Sequence, residues 1–437
     1  MKIKCLKYFV LALAFCAAFL LSSCAACSCP PVTEVSCPCE DGECDCAAGK
    51  ENNGGVIDND DLYLPGVGDN DIPVIDLSAA TRTVLSSVAI RATAEVNDSY
   101  DYEFDFGNSV RDVTKAGSGI IYSLERDKGN AYILTNFHVL YNYKSTSEDG
   151  LAHTIKLYLY GQEEEQYAIP ATYVGGSLVY DFAILRVEGS EVIKKSHAIP
   201  AVFADSEKVD ILDPVVAVGD PEGLGMSITT GTVCVPSEML EMTGADNCRI
   251  TVRVMRIDAA INEGNSGGGL FNANGLLIGL VNAKRIGADV DNIAYAFPSN
   301  LVKILAENVI YQAEENGSSK LLAYDLGIEL YKKEAWLDID PDTGRIVKRE
   351  MAAVKEVASG GALDGLILAD DVIESIEIDG KLIKVEMLYH FTDNLLTLRP
   401  GTSLTLNVLR GNGDIAQRIS VSIEILRAME IDPDRRR

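Results

Sequence analysis

Between residues 78 and 312 the chain is divided into short apolar runs separated by polar and glycine-bearing turns. Ser87–Ala92, Ser118–Tyr122, Ala131–Thr135, Ile155–Tyr160, Pro214–Val218 and Leu276–Val281 are rich in β-branched and aromatic residues. Such side chains suit a pleated surface, so these runs predict the strands of a β-barrel or sandwich. Asn300–Glu315 breaks the rhythm, because Leu301, Ile304, Leu305, Val309 and Tyr311 recur at helical spacing. Glu315–Ser319 reads as a linker. A second compact pattern follows over residues 322–426, with strands at Ala353–Val357 and Leu404–Leu409 and a helix within Glu386–Leu395. Residues 427–437 read as a frayed polar tail. The fold class expected is mostly β, and no tandem repeat interrupts it.

The N-terminus has a different pattern. Lys2, Lys4 and Lys7 precede the apolar run Tyr8–Leu21, which is short for a membrane-spanning helix and reads as an export signal. It ends in Leu21-Ser22-Ser23-Cys24, which resembles the lipobox of bacterial lipoproteins. That likeness implies a signal peptide over 1–23 and a lipid-modified Cys24 anchored to the outer face of a bacterial membrane. An ordinary cleaved signal beside a cysteine is the alternative. Residues 24–77 have the composition of a disordered tether: acids dominate from Glu34 to Asp76, with Lys50 the single base among them. Cys27, Cys29, Cys37, Cys39, Cys44 and Cys46 form three Cys-x-Cys pairs. Disulfides suit an exported chain, and a soft metal suits thiols two residues apart on one face. Cys234 and Cys248 are expected either to pair across a hairpin or to be buried free thiols.

Length and charge narrow the function. At 437 residues and 47% hydrophobic content the chain has room for two or three domains. With 38 basic and 65 acidic residues its formal charge is −27, which excludes nucleic acid as an expected partner, since phosphate binding needs clustered cations.

The strongest chemical signal is Glu263-Gly264-Asn265-Ser266-Gly267-Gly268-Gly269, a serine set among small residues that let a substrate carbonyl approach the backbone. A serine hydroxyl needs a base to become a nucleophile. The chain has four histidines, and His138 alone follows a strand-like run directly, whereas His153 and His197 lie in polar loop-like stretches and His390 lies beyond the linker. Asp181 precedes the apolar run Phe182–Leu185, where it would be shielded enough to orient an imidazole. His138, Asp181 and Ser266 stand in the chain order of a chymotrypsin-like serine protease. Gly264-x-Ser266-x-Gly268 also satisfies the hydrolase elbow, but that fold needs its acid and histidine after the serine. The amides of Gly264, Asn265 and Ser266 are candidates for an oxyanion hole. No cofactor and no catalytic metal is expected.

On these residues the chain resembles the HtrA/Deg family of extracytoplasmic serine proteases over roughly residues 80–425. Thr135-Asn136-Phe137-His138-Val139, Asp181-Phe182-Ala183-Ile184-Leu185 and Ile261–Gly268 look like its three catalytic motifs. Val218–Gly225 looks like an activation-type loop, and Asn292–Ser299 like a stretch near the substrate pocket. The resemblance implies a chymotrypsin-like double β-barrel over 78–315 and a PDZ domain over 322–426. Leu326-Gly327-Ile328 would be the loop that receives a peptide's C-terminal carboxylate, with an extended peptide added beside it as a strand. It further implies a membrane-tethered endopeptidase for unfolded or damaged polypeptides, assembled as homotrimers or multiples of them. Ile261, Ala283, Lys284 and Arg285 would border the substrate pocket. Lys284 and Arg285 stand where the family often carries apolar residues, which argues against its usual small-apolar preference. Asp370 replaces a glycine in the PDZ turn, and a distorted turn is expected there. A catalytically silent peptide-binding or chaperone-like protein is the competing reading.

Overall fold

The computed structural model describes residues 75–98, 109–282, 293–341, 344–411 and 416–431. The chain divides into compact units at Met1–Tyr63 and Leu64–Arg437, and every described residue belongs to the second. The signal segment, Cys24, the Cys-x-Cys pairs, Ala283, Lys284 and Arg285 lie outside the described residues.

Strands β1 (Ser87–Asp98), β2 (Ser109–Glu125), β3 (Asn130–Thr135), β4 (Thr154–Leu159), β5 (Ile169–Ser177) and β6 (Phe182–Val187) close into a barrel in the order β1-β2-β3-β6-β5-β4. Strands β7 (Pro214–Gly219), β8 (Ser227–Thr243), β9 (Arg249–Ile257), β10 (Gly269–Asn272), β11 (Leu277–Asn282) and β12 (Ala294–Pro298) close a second, β10-β11-β12-β9-β8-β7. The apolar runs are explained by burial on both strand faces. In β6, Ala183 and Leu185 fill the first barrel, while Phe182 and Ile184 face a separate core shared with the second barrel. In β7, Val215 and Ala217 fill the second barrel, while Val216 and Val218 enter the shared core. A strand covered on both faces loses the apolar–polar alternation of a surface strand. Helix α4 (Ser299–Asn316) seals this seam with Leu301, Val302, Leu305 and Val309.

Short helices complete the first barrel: α1 (Leu77–Arg82) precedes β1, the single turn α2 (Phe137–Leu140) follows β3, and α3 (Glu191–Lys195) follows β6. The expected linker is not loose. Gly317 ends α4 at φ +60°, and the Gly176 amide of β5 donates to Ser319 O at 3.0 Å.

The C-terminal unit is a sheet of β14 (Ile328–Ile339), β15 (Ile346–Val357), β16 (Val372–Ile378), β18 (Ser403–Arg410) and β19 (Gln417–Glu424), with β17 (Lys381–Lys384) on β16 and a small β13–β20 pair (Ala323–Tyr324, Glu430–Ile431). Helix α5 (Leu388–Leu395) lies within the expected helical stretch. The turn at Asp370 is not distorted: Asp370 adopts the glycine-like φ of +68°, its amide donates to Val354 O at 2.8 Å, and its carboxylate accepts from Tyr331 Oη at 2.6 Å. Of the two expectations for Cys234 and Cys248, the pairing fails, and the free-thiol reading holds except for their burial. Each is a free thiol, Cys234 exposed and Cys248 half-buried, and the register sets them at opposite ends of the β8–β9 hairpin.

A buried cluster joins this unit to the second barrel. Arg253 of β9 donates to Asp393 Oδ2 of α5 at 2.7 Å, to Ser237 Oγ at 2.9 Å and to Glu207, and its guanidinium lies 3.4 Å from the centre of the Tyr389 ring. Burial works against the charge on Glu207, but His390 and Arg253 outweigh it and hold the carboxyl down to about 2. Asp393 is more deeply enclosed, and there burial wins over Arg253 and pushes its carboxyl up. Removing one partner of such a buried set strands the others' charges. Arg253→Met should therefore destabilise the C-terminal unit by about 3–5 kcal/mol. The check is urea unfolding followed by the fluorescence of Trp336, the chain's single tryptophan, which sits on β14. An unchanged midpoint would show that the cluster does not fasten the unit.

Candidate active site

His138 and Asp181 are brought together although 43 residues separate them. His138 follows β3, as the sequence suggested, and lies in the one-turn helix α2. That turn points the ring at the bend before β6, where Asp181 sits at φ +47°. A non-glycine residue in this region needs its surroundings to hold it there. Asn136 Nδ2 donates to Asp181 O at 2.9 Å, the His138 amide donates to Asp181 Oδ1 at 2.9 Å, and His138 Nδ1 lies 2.7 Å from Asp181 Oδ2. Asn282, at the end of β11, adds Nδ2 to Asp181 Oδ2 at 3.0 Å. Asp181 is 0% exposed, and its carboxylate is met by the His138 and Asn282 groups. The His138 ring stays partly open to solvent. Lys115 Nζ ties down the end of the histidine turn, donating to His138 O at 3.2 Å and Tyr141 O at 2.7 Å.

Ser266 lies on the loop that enters β10, 6% exposed. The Ser118 amide of β2 donates to Ser266 O at 2.8 Å, and Thr135 Oγ1 donates to Ser118 O at 2.7 Å. The Ser266 loop is thereby laced to the segment that carries His138. Gly267 shows how close the approach is: at φ +84°, a Cβ there would lie 2.2 Å from Ser118 O and 2.3 Å from Thr135 Oγ1.

The three amides grouped from sequence separate here. The Asn265 amide donates to Asn262 O at 3.1 Å, so it is committed to the loop itself and is removed from the candidate oxyanion donors. Gly264 has φ +95°, and a Cβ there would lie 2.2 Å from Asp220 O. Ser118 Oγ donates to Gly264 O at 2.7 Å and accepts from the Asp220 amide at 2.9 Å. Ile261 packs half-buried against the second barrel's interior cluster. In the C-terminal unit, Leu326 is buried, Gly327 adopts φ +70° and Ile328 opens β14. The Gly327 amide donates to Asp325 Oδ1 at 2.8 Å, so it is engaged by a neighbouring carboxylate.

Sequence reasoning missed Asn282, Ser118 and Asn136. Asn282 stood beside the pocket candidates and Asn136 within the histidine motif, but neither position signals an acid partner without the fold. Ser118 had no signal beyond its place in an apolar run.

Residues 117–280 match the trypsin-like peptidase domain family. The chain is 33% identical over 216 residues to the serine protease Do-like HtrA of Bacillus subtilis, covering 48% of this chain and 43% of that protein. It is 30% identical over 321 residues to the periplasmic serine endoprotease DegP of Escherichia coli, covering 73% of this chain and 58% of that protein. It thus spans about half the length of these curated relatives. Among solved structures, the HtrA-type protease AlgW with tripeptide shares the fold at TM-score 0.51 and 22% identity, covering 81% of this chain and 97% of that one. The barrel pair, with its buried acid and its glycine-flanked serine, thus carries the stretch that matches the trypsin-like peptidase domain, and in sequence the chain is similar to the HtrA and DegP serine proteases.

Proposed function

We propose that the protein is an extracytoplasmic serine endopeptidase that cleaves unfolded or damaged polypeptides, with His138, Asp181 and Ser266 as its catalytic residues. The observation that carries this reading is the His138–Asp181 contact at 2.7 Å, made by a fully buried carboxylate beside the loop that bears Ser266. With Nδ1–H bound to Asp181, the other ring nitrogen is the basic one. His138 takes the Ser266 proton as the hydroxyl attacks the peptide carbonyl, and returns it to the leaving amine. Asp181 holds the ring in this tautomer and stabilises its cationic form. The Gly264 and Ser266 amides receive the oxyanion. A water then hydrolyses the acyl-enzyme by the same proton relay run again.

We assign residues 78–315 to the protease and 322–426 to a PDZ domain. Leu326–Ile328 would take a peptide's terminal carboxylate, which would replace Asp325 Oδ1 on the Gly327 amide, and the peptide would extend along β14, an edge strand of its sheet. The export signal over 1–23 and a lipidated Cys24 would hold the enzyme outside the cytoplasm on a membrane, with residues 24–77 as its tether. The DegP relative is named periplasmic, which accords with export. We expect trimers or multiples of them.

Ser266→Ala should leave the far-UV dichroism unchanged and lower kcat on unfolded casein by about six orders of magnitude. Undiminished cleavage by that variant would remove Ser266 from the mechanism. A parent protein that neither cleaves casein nor reacts with a fluorophosphonate would favour the silent peptide-binding reading.

Gly264→Ala places a Cβ against Asp220 O in a backbone region that only glycine enters cheaply. The loop must move, and fluorophosphonate labelling should slow by about 100- to 1,000-fold, the cost of losing one oxyanion donor. Labelling at the parent rate would exclude the Gly264 amide from the oxyanion hole.

A further inference from the structure

The two halves of the catalytic set sit on different barrels, and one ion pair crosses between them beside the serine. Arg91 projects from β1 of the first barrel. Its Nη1 donates to Asp220 Oδ2 and to Ile90 O at 3.0 Å, and its Nη2 donates to Gly223 O at 3.1 Å. Asp220 lies just after β7 of the second barrel and is 0% exposed. Its second carboxylate oxygen accepts from the Gly225 amide at 2.7 Å.

The segment Asp220–Gly225 has a costly backbone. Glu222, Gly223 and Gly225 all have positive φ, at +54°, +72° and +113°. Such a turn persists only where its surroundings over-determine it. Arg91 does this from one side, by binding the first residue of the turn through its carboxylate and the fourth through its carbonyl.

On its other side this segment grips the peptide next to the nucleophile. The Glu222 amide donates to Glu263 O at 2.7 Å. A trans peptide is planar, with its carbonyl and amide pointing in opposite directions. Fixing Glu263 O therefore fixes the direction of the Gly264 N–H, the proposed oxyanion donor. Ser118 Oγ, held between the Asp220 amide and Gly264 O, fixes the next peptide in the same way.

We infer that Arg91 and Asp220 are positioning residues for the oxyanion hole: their ion pair holds the 220–225 turn, and that turn sets the Gly264 amide. The inference rests on the peptidase reading above. It assigns neither residue a contact with substrate. It predicts a loss in the chemical step with little change in substrate binding, because the peptide that would rotate carries a transition-state contact.

The experiment compares the full chain with Arg91→Met, Asp220→Asn and the double variant, measuring kcat and KM on fluorescein-labelled casein and the rate of fluorophosphonate labelling. Arg91→Met strands a buried carboxylate and should lower both kcat and the labelling rate by about 100-fold, as for a displaced oxyanion donor, with KM within about twofold. Adding Asp220→Asn removes the stranded charge yet keeps an acceptor for the Gly225 amide, and should recover about tenfold of that loss. If Arg91→Met fails to fold, Arg91→Lys serves instead: it keeps the charge but loses the fork to Gly223 O, and should slow labelling by about tenfold. Variants that label and turn over at the parent rate overturn the inference, as does a loss that appears in KM alone or is not relieved in the double variant. A parent protein that never labels overturns the peptidase reading instead, so the two failures are separable.

Discussion

The site depends on one fully buried charge. The Asp181 carboxylate must be met by donors, and those donors come from both barrels: the His138 amide and ring from the first, and the Asn282 side chain from the second. An uncompensated carboxylate in this position would cost several kcal/mol. The acid that we propose orients the base thus also ties together the two barrels on which His138 and Ser266 separately sit. An apolar core is also shared between the barrels, but apolar packing is non-directional. Hydrogen bonds to a charge have both length and direction, and they determine which way the imidazole faces.

The loop that carries Ser266 is fixed in a complementary way. Its carbonyls are held by donors from outside the loop: Gly264 O by Ser118 Oγ, Ser266 O by the Ser118 amide, and Glu263 O by the Glu222 amide. Holding carbonyls on one side of a chain leaves the direction of the amides on the other side determined. Small residues are needed because the neighbouring backbones approach so closely. Gly264 abuts Asp220 and Gly267 abuts Ser118, each at a distance that a Cβ would occupy. The glycines that made this stretch conspicuous in the sequence are there for backbone contact as much as for substrate access.

The parts of the molecule legible from sequence are those whose signal is local. Doubly buried strands announced themselves as apolar runs, α4 as a helical stripe, and the catalytic candidates through chain order and a shortage of histidines. The β14–β15 hairpin was legible only at its Ala353–Val357 end, which enters the core. Its outer half exposes Trp336, Leu337, Ile339 and Ile346 among charged residues and is matched across strands by the Arg349–Asp338 pair, so no period reaches the sequence. The supporting residues of the site were illegible for a related reason. Asn282 acts on a residue 101 positions away, Ser118 on one 146 away and Arg91 on one 129 away, and no spacing rule spans such separations. Asn265 is the reverse case: its neighbours made it an oxyanion candidate, and a turn bond to Asn262, three residues back, removed it.

The C-terminal unit is attached by the same kind of directional bonding. Asn308 of α4 is fully buried and accepts the Leu322 amide at 2.8 Å while donating to Leu322 O at 2.8 Å and Leu396 O at 2.6 Å. An asparagine with both ends of its amide engaged specifies a register that leucine could not. Arg253 does the same on the second barrel, where its planar fork meets Asp393 and Glu207 at once. Buried polar groups of this kind add little net stability over apolar replacements, but they penalise every arrangement in which a partner is missing. The unit that we read as peptide-binding is therefore seated in one orientation on the second barrel, which also carries the Ser266 loop. Helix α5 supplies Asp393 to that contact and packs Phe391 into the C-terminal unit's own core. A displacement of α5 would break a charged contact on one side and an apolar one on the other, so the helix can shift only with the unit as a whole.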